Sequence, residues 1–125
     1  MSKDLMEMVL PRMARRLDRQ LRRYQAGELN DDEFTQKFEY LLQQQYHWLA
    51  RKGVNELESA MMIHAAVLVL SGAGLRAEAA EQGLPLEVIE YRAMRSAAED
   101  IAQNYGVSEA RAAQRLSDIV AAYAE

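Results

Sequence analysis

The stretch Ala60-Met61-Met62-Ile63-His64-Ala65-Ala66-Val67-Leu68-Val69-Leu70 limits this chain more than any other feature. It is the only long apolar run, and His64 is its only strongly polar side chain. A segment apolar on nearly every side must be covered on nearly every side, which places it at the centre of a fold. It is too short to cross a bilayer, which takes about 20 apolar residues. The segments around it are amphipathic at helical spacing. The expected architecture is therefore all-α: a compact bundle of about five helices around a buried central helix at 56–71. With 125 residues, no long repeat and no Ser/Pro linker, one domain is expected. It divides into an N-terminal hairpin (1–53) and the central helix with the C-terminal helices (54–125).

Local signals mark the helix ends. Met13, Leu17, Leu21 and Tyr24 make one stripe of a helix over 12–26, and Gly27 is a natural stop. Pro11 either starts that helix or kinks a longer one from near Lys3; Leu5, Met8 and Val9 favour the longer form. Asn30-Asp31-Asp32-Glu33 reads as a capping box with acids at the positive helix end. Phe34, Phe38, Leu41, Leu42 and Leu49 follow as the buried stripe, with Tyr46 and Trp48 near its end, and Gly53 closes the helix. Asn55 and Glu58 repeat the capping logic for the central helix, which Gly72 and Gly74 are expected to close. A short helical piece over 75–82 follows and stops at Gly83. After Pro85, Leu86, Ile89, Ala93, Ala97 and Ile101 form a further stripe. Gly106 breaks it, Ser108 caps the last helix, and Ala112, Leu116, Ile119, Val120 and Tyr123 carry its buried face.

Charge is uneven along the chain. The total is −4, yet residues 1–26 carry seven basic and three acidic side chains and residues 27–50 carry one basic and five acidic. A basic first helix beside an acidic second one suggests a charge-paired hairpin, or a basic contact face made of Arg12, Arg15, Arg16, Arg19, Arg22 and Arg23. The competing reading is a merely solvated face. There are no cysteines, which excludes disulfides and thiol catalysis. No basic segment followed by an apolar one opens the chain, so no secretion signal is expected and cytoplasm is the expected location.

Ile101-Ala102-Gln103-Asn104-Tyr105-Gly106-Val107-Ser108-Glu109-Ala110-Arg111-Ala112-Ala113-Gln114-Arg115-Leu116 resembles the helix-turn-helix of bacterial regulators and sigma-like factors. Ala102 lets two helices approach, Gly106 permits the turn, Val107 plugs the space between them, and Leu116 anchors the second. The resemblance implies a recognition helix carrying Ser108, Glu109, Arg111, Gln114 and Arg115. In it the arginines would meet phosphates or guanine edges and Gln114 adenine. Position 112 departs from it, being Ala where a branched apolar residue is usual, and the surrounding half of the chain is acidic. The segment Leu17–Leu42 resembles the short SHOCT-type helical module, here near the N-terminus, and implies only a hairpin. Leu84–Leu116 is similar to the C-terminal end of regulatory zinc metallopeptidases, but this chain lacks their His-Glu-x-x-His, so neither metal nor catalysis carries over. Val67-Leu68-Val69-Leu70-Ser71-Gly72-Ala73-Gly74-Leu75 resembles the strand and Gly-Ala-Gly turn of dinucleotide-binding folds, including the sirtuin start. A helix followed by glycines is the preferred reading, since nothing else in the chain would build a sheet.

His47 and His64 are the only histidines. His64 with Glu56 and Glu58 has poor metal-ligand spacing, and no Ser-His-Asp arrangement has support. No metal, cofactor or catalytic residue is expected. The favoured function is a non-enzymatic interaction or regulatory protein that acts through helical surfaces as a homodimer, with a protein partner. The alternative is a DNA-binding regulator using Ser108, Arg111, Gln114 and Arg115, so nucleic acid stands as the less favoured partner. A small enzyme or ligand binder using His64 ranks last, and would need an open cavity with a second polar group beside the imidazole. No membrane partner is expected.

Overall fold

The computed structural model describes the backbone of residues 2–124 and the side chains of residues 7–72 and 74–122. The described chain is all-α, with six helices and no strand: α1 (Ser2–Gln25), α2 (Asp31–Arg51), α3 (Glu56–Leu70), α4 (Gly72–Gln82), α5 (Leu86–Tyr105) and α6 (Glu109–Ala124). The longer form of α1 is the one adopted, with Pro11 inside the helix. Leu5, which favours the longer first helix, and Tyr123, expected on the buried face of the last helix, lie outside the described side chains.

Caps set the register of the helices. The Asn30 side chain accepts the Glu33 N–H at 2.8 Å, while Glu33 accepts the Asn30 N–H at 3.0 Å, closing the capping box that starts α2. Asn55 accepts the Glu58 N–H at 2.8 Å and starts α3. Gly106 ends α5 in the left-handed region (φ 68°), where a side chain would be strained. The Ser108 Oγ then accepts the Arg111 N–H at 3.2 Å to start α6.

α3 is the hub, packed against every other helix. Ala60, Met62, Ala65 and Ala66 are fully buried, and Ile63 nearly so. Around them sit Val9, Leu10 and Met13 from α1, Leu49 from α2, Ala98 and Ile101 from α5, and Ala112, Leu116 and Ile119 from α6. Each large side chain among these contributes roughly 1.5–3 kcal/mol by leaving water. The buried alanines keep that contact close, because interaxial distance follows the side chains at the crossing.

The centre is less completely wrapped than the sequence suggests. Residues 59–66 of α3 are enclosed, apart from half-buried His64, but Val67, Leu68, Val69 and Leu70 are only half-buried. Gly72 and Gly74 do not close the central helix; both lie inside α4. Neither takes a positive φ, so the freedom that makes glycine a helix stop is not used. Instead the chain bends at Ser71 (φ −84°, ψ 2°). Helical bonding resumes at once, the Leu75 N–H donating to the Ser71 carbonyl at 2.9 Å. α3 and the Gly74–Gln82 part of α4 meet at 61°. No single described helix is long and apolar enough to cross a membrane. Because Val67–Leu70 is helical, the strand that a dinucleotide fold requires is absent from the place where the sequence suggested it.

Stripe positions also shift in detail. Met8, Leu21 and Tyr24 are more than a third exposed. On α2 it is Gln45, between Leu41 and Leu49, that is fully buried. On α5 Ala98 is fully buried, while its neighbour Ala97 is only half-buried.

Candidate functional site

α1 and α2 form the hairpin, and its seam carries the strongest concentration of like charge. Arg12, Arg16 and Arg19 on α1 face Lys37, Tyr40, Gln44, His47 and Arg51 on α2. The two stretches of groove adjoin at Arg16, Tyr40 and Gln44, where the Arg16–Gln44 hydrogen bond crosses the seam. Among the described residues, five cations line the two stretches together with Gln20 and Gln43, and no carboxylate does. The cause is periodicity. Positions 12, 16 and 19 recur at four and three residues along α1, and positions 37, 40, 44, 47 and 51 recur at three and four along α2. Each set is therefore one face of its helix, and the antiparallel hairpin turns the two faces toward a common cleft.

The acids of α2 are elsewhere. Asp31, Asp32 and Glu33 sit in its first turn, where they answer the helix dipole; the fourth acid, Glu39, is exposed and lines neither stretch. The expected charge pairing across the hairpin does not form among the described residues. Among the described residues the α1 arginines make one ion pair, Arg22 with Asp18 of the same helix at 3.0 Å. Across the seam the polar contacts are an Arg16–Gln44 hydrogen bond and a Tyr24 hydroxyl donated to Asp31, the latter raising the Tyr24 pKa. Of the six arginines proposed as a contact face, Arg12, Arg16 and Arg19 line the groove; Arg15, Arg22 and Arg23 do not. Arg12 also stacks over the Trp48 ring at 5.2 Å, and Lys52 covers the same ring at 5.5 Å. Trp48 thus holds Arg12 at the end of the groove.

The helix-turn-helix-like segment has the turn its residues suggest: Gly106 left-handed, Val107 packed on the core, Ser108 capping, and Ala112 and Leu116 fully buried. Its polar side chains are mostly engaged within the protein. Arg115 pairs with Glu58 of α3, and Gln114 donates to Asp118 at 2.9 Å. Glu109 takes Arg95 at 3.5 Å, and Arg111 is exposed. α6 packs against α1 and α3 as well as α5, which covers much of its circumference.

His64 lines a groove of about 300 Å³ between α3 and α5, whose floor at one end is Ser71 and Leu75. The space exists because α5 presents small residues there, Ala93, Ser96 and Ala97, opposite Val67 and Leu68. Asp100 is the one charged group in the lining. Burial lowers the His64 pKa, and Asp100 opposes that more weakly. A third cleft, between α2 and α3, holds Tyr46, His47 and Tyr105. Burial, followed by the electrostatic effect of the neighbouring Tyr105, pushes Tyr46 up to about 12. No group of three or more His, Asp or Glu side chains among the described residues is arranged to hold a metal.

The α2 half of the basic groove was not read from the sequence. Its signal was present in the spacing of Lys37, Tyr40, Gln44, His47 and Arg51, but the net acidity of residues 27–50 hid it. No protein-family model, curated protein or solved structure matches the chain.

Proposed function

We propose that the chain is a non-enzymatic interaction module whose contact face is the α1–α2 groove and whose partner is polyanionic. The observation that carries this reading is five cations along the α1–α2 cleft with no carboxylate among the described residues of its lining. Crowding like charges without counter-charges is unfavourable in isolation. An anionic partner relieves it and is steered to it. An immobilised polyanion tests this reading. Wild-type protein is expected to be retained at low salt, and a triple variant Arg16→Gln, Arg19→Gln, Lys37→Gln to elute earlier with unchanged far-UV circular dichroism. Equal retention of the two would overturn it.

Self-association belongs to the same proposal. Val67, Leu68, Val69 and Leu70 are half-buried in one chain, and a second copy would cover what α4 and α5 leave open. Light scattering over a concentration series reads it directly; a monomer at every concentration would remove it.

DNA recognition through α6 is the second reading, favoured by the left-handed Gly106, the Ser108 cap and the exposed Arg111. Its test is duplex binding that weakens on Arg111→Gln and is indifferent to the groove variant.

A further inference from the structure

We infer that the α1–α2 groove binds single-stranded nucleic acid, its cations following the phosphates and Tyr40 stacking against a base; this rests on the contact face proposed above. Three observations select that polyanion from others.

The first is Tyr40. It is 60% exposed and lies in the stretch common to both ends of the groove. An aromatic ring left open to water amid cations and amides offers a face to any base, and stacking of this kind contributes strongly to single-strand binding. Trp48 cannot serve, being covered by Arg12 and Lys52. The second is the absence of an apolar anchor line. Among the described residues of the lining the one aliphatic side chain is Leu41, which is buried. A bound protein helix would need apolar pockets at helical spacing, and protein interfaces are depleted of charge at their centre. This cleft has the reverse composition. The third is shape and length. From Lys37 to Arg51 the α2 wall runs for about 21 Å at 1.5 Å per residue. It is a cleft between two helices, fitted to a thin flexible strand. Reading a duplex by its base edges needs an element that projects into its groove, which a cleft does not supply. Gln20, Gln43 and Gln44 add amides able to bond base edges without selecting one sequence.

The salt response follows from the charge count. Single-strand affinity falls with salt at a slope of about 0.7 per neutralised phosphate. If all five cations engage, binding weakens on the order of 100-fold between 50 and 200 mM salt.

Fluorescence anisotropy on the full chain tests the inference with four probes: labelled oligothymidine, labelled oligouridine, a duplex of the same length, and an oligoglutamate peptide. Expected is binding of one or both single strands in preference to duplex and peptide, with the steep salt response. Tyr40→Ala should weaken it roughly ten-fold, while Tyr40→Phe keeps most of it, since the ring and not the hydroxyl stacks. Circular dichroism on both variants checks that the fold is retained. Binding of oligoglutamate at least as tight as of the single strands would overturn the inference and leave the anionic contact face standing. So would single-strand binding indifferent to Tyr40→Ala. A duplex preference abolished by Arg111→Gln would overturn it in favour of α6. No binding of any probe at low salt would overturn both the inference and the contact face.

Discussion

Gln45 is fully buried on α2 between Leu41 and Leu49, and neither its amide nitrogen nor its amide oxygen has a hydrogen-bond partner in the protein. A buried polar group without a partner costs about 1–3 kcal/mol. Gln45→Met keeps the volume and removes both polar atoms. It is expected to stabilise the protein by about 1–2 kcal/mol, read as a rise in the chemical-denaturation midpoint. A lower midpoint would show the amide to be satisfied. His64 gives a second prediction at this scale. Its folded pKa is lowered by burial, below the ordinary value of about 6.5. The unfolded chain therefore binds this proton more readily than the folded one. The corresponding stability is complete above about pH 6.5 and is lost as the pH falls toward the lowered value. Unfolding midpoints measured across that window should decline in wild type, and His64→Gln should decline less. Equal slopes would mean that His64 titrates freely. Neither property could be read from sequence. Gln45 occupies a helical stripe position that only packing shows to be dry, and the groove around His64 depends on small α5 residues lying opposite.

At the scale of elements, starts and stops were legible where a side chain or a left-handed glycine acts locally. Asn30, Asn55, Ser108 and Gly106 do what their positions imply. Gly72 and Gly74 misled because a glycine marks a stop only when the backbone takes positive φ there, and here it does not. The result is that α4 follows α3 with no loop, held chiefly by α5 and weakly by α3. Among its described side chains only Ala79 is buried. Few apolar contacts mean a low opening free energy. Amide hydrogen exchange should be fast across α4 and slow across residues 59–66 of α3. Comparable protection in the two would contradict this account of the packing. A related expectation concerns α6. The Arg115–Glu58 pair joins it to α3 with both side chains part-exposed, so Arg115→Gln should cost no more than about 1 kcal/mol in thermal or chemical unfolding. A larger loss would show that the pair holds the C-terminal helices in place.

For the whole molecule, one hub helix organises the fold and the charges sort themselves by face. The apolar run of α3 made the all-α class and its centre legible, because no other segment could be so completely enclosed. The groove was legible only in half. Regional net charge described α2 as acidic, whereas a face is selected by positions three and four apart. Lys37 and Arg51 share their face with Tyr40, Gln44 and His47, and none of the acids of the first turn lines it. The result is a molecule with an overall charge of −4 that presents a cationic cleft. Its acidic remainder should discourage non-specific adhesion elsewhere. The central claim is that this cleft, and not α6, is the contact face. Amide chemical-shift mapping during titration with a short polyanion tests it most directly. The account predicts shifts confined to residues 12–20 and 37–51, with residues 108–115 unmoved; shifts centred on 108–115 with the α1–α2 seam silent would contradict it.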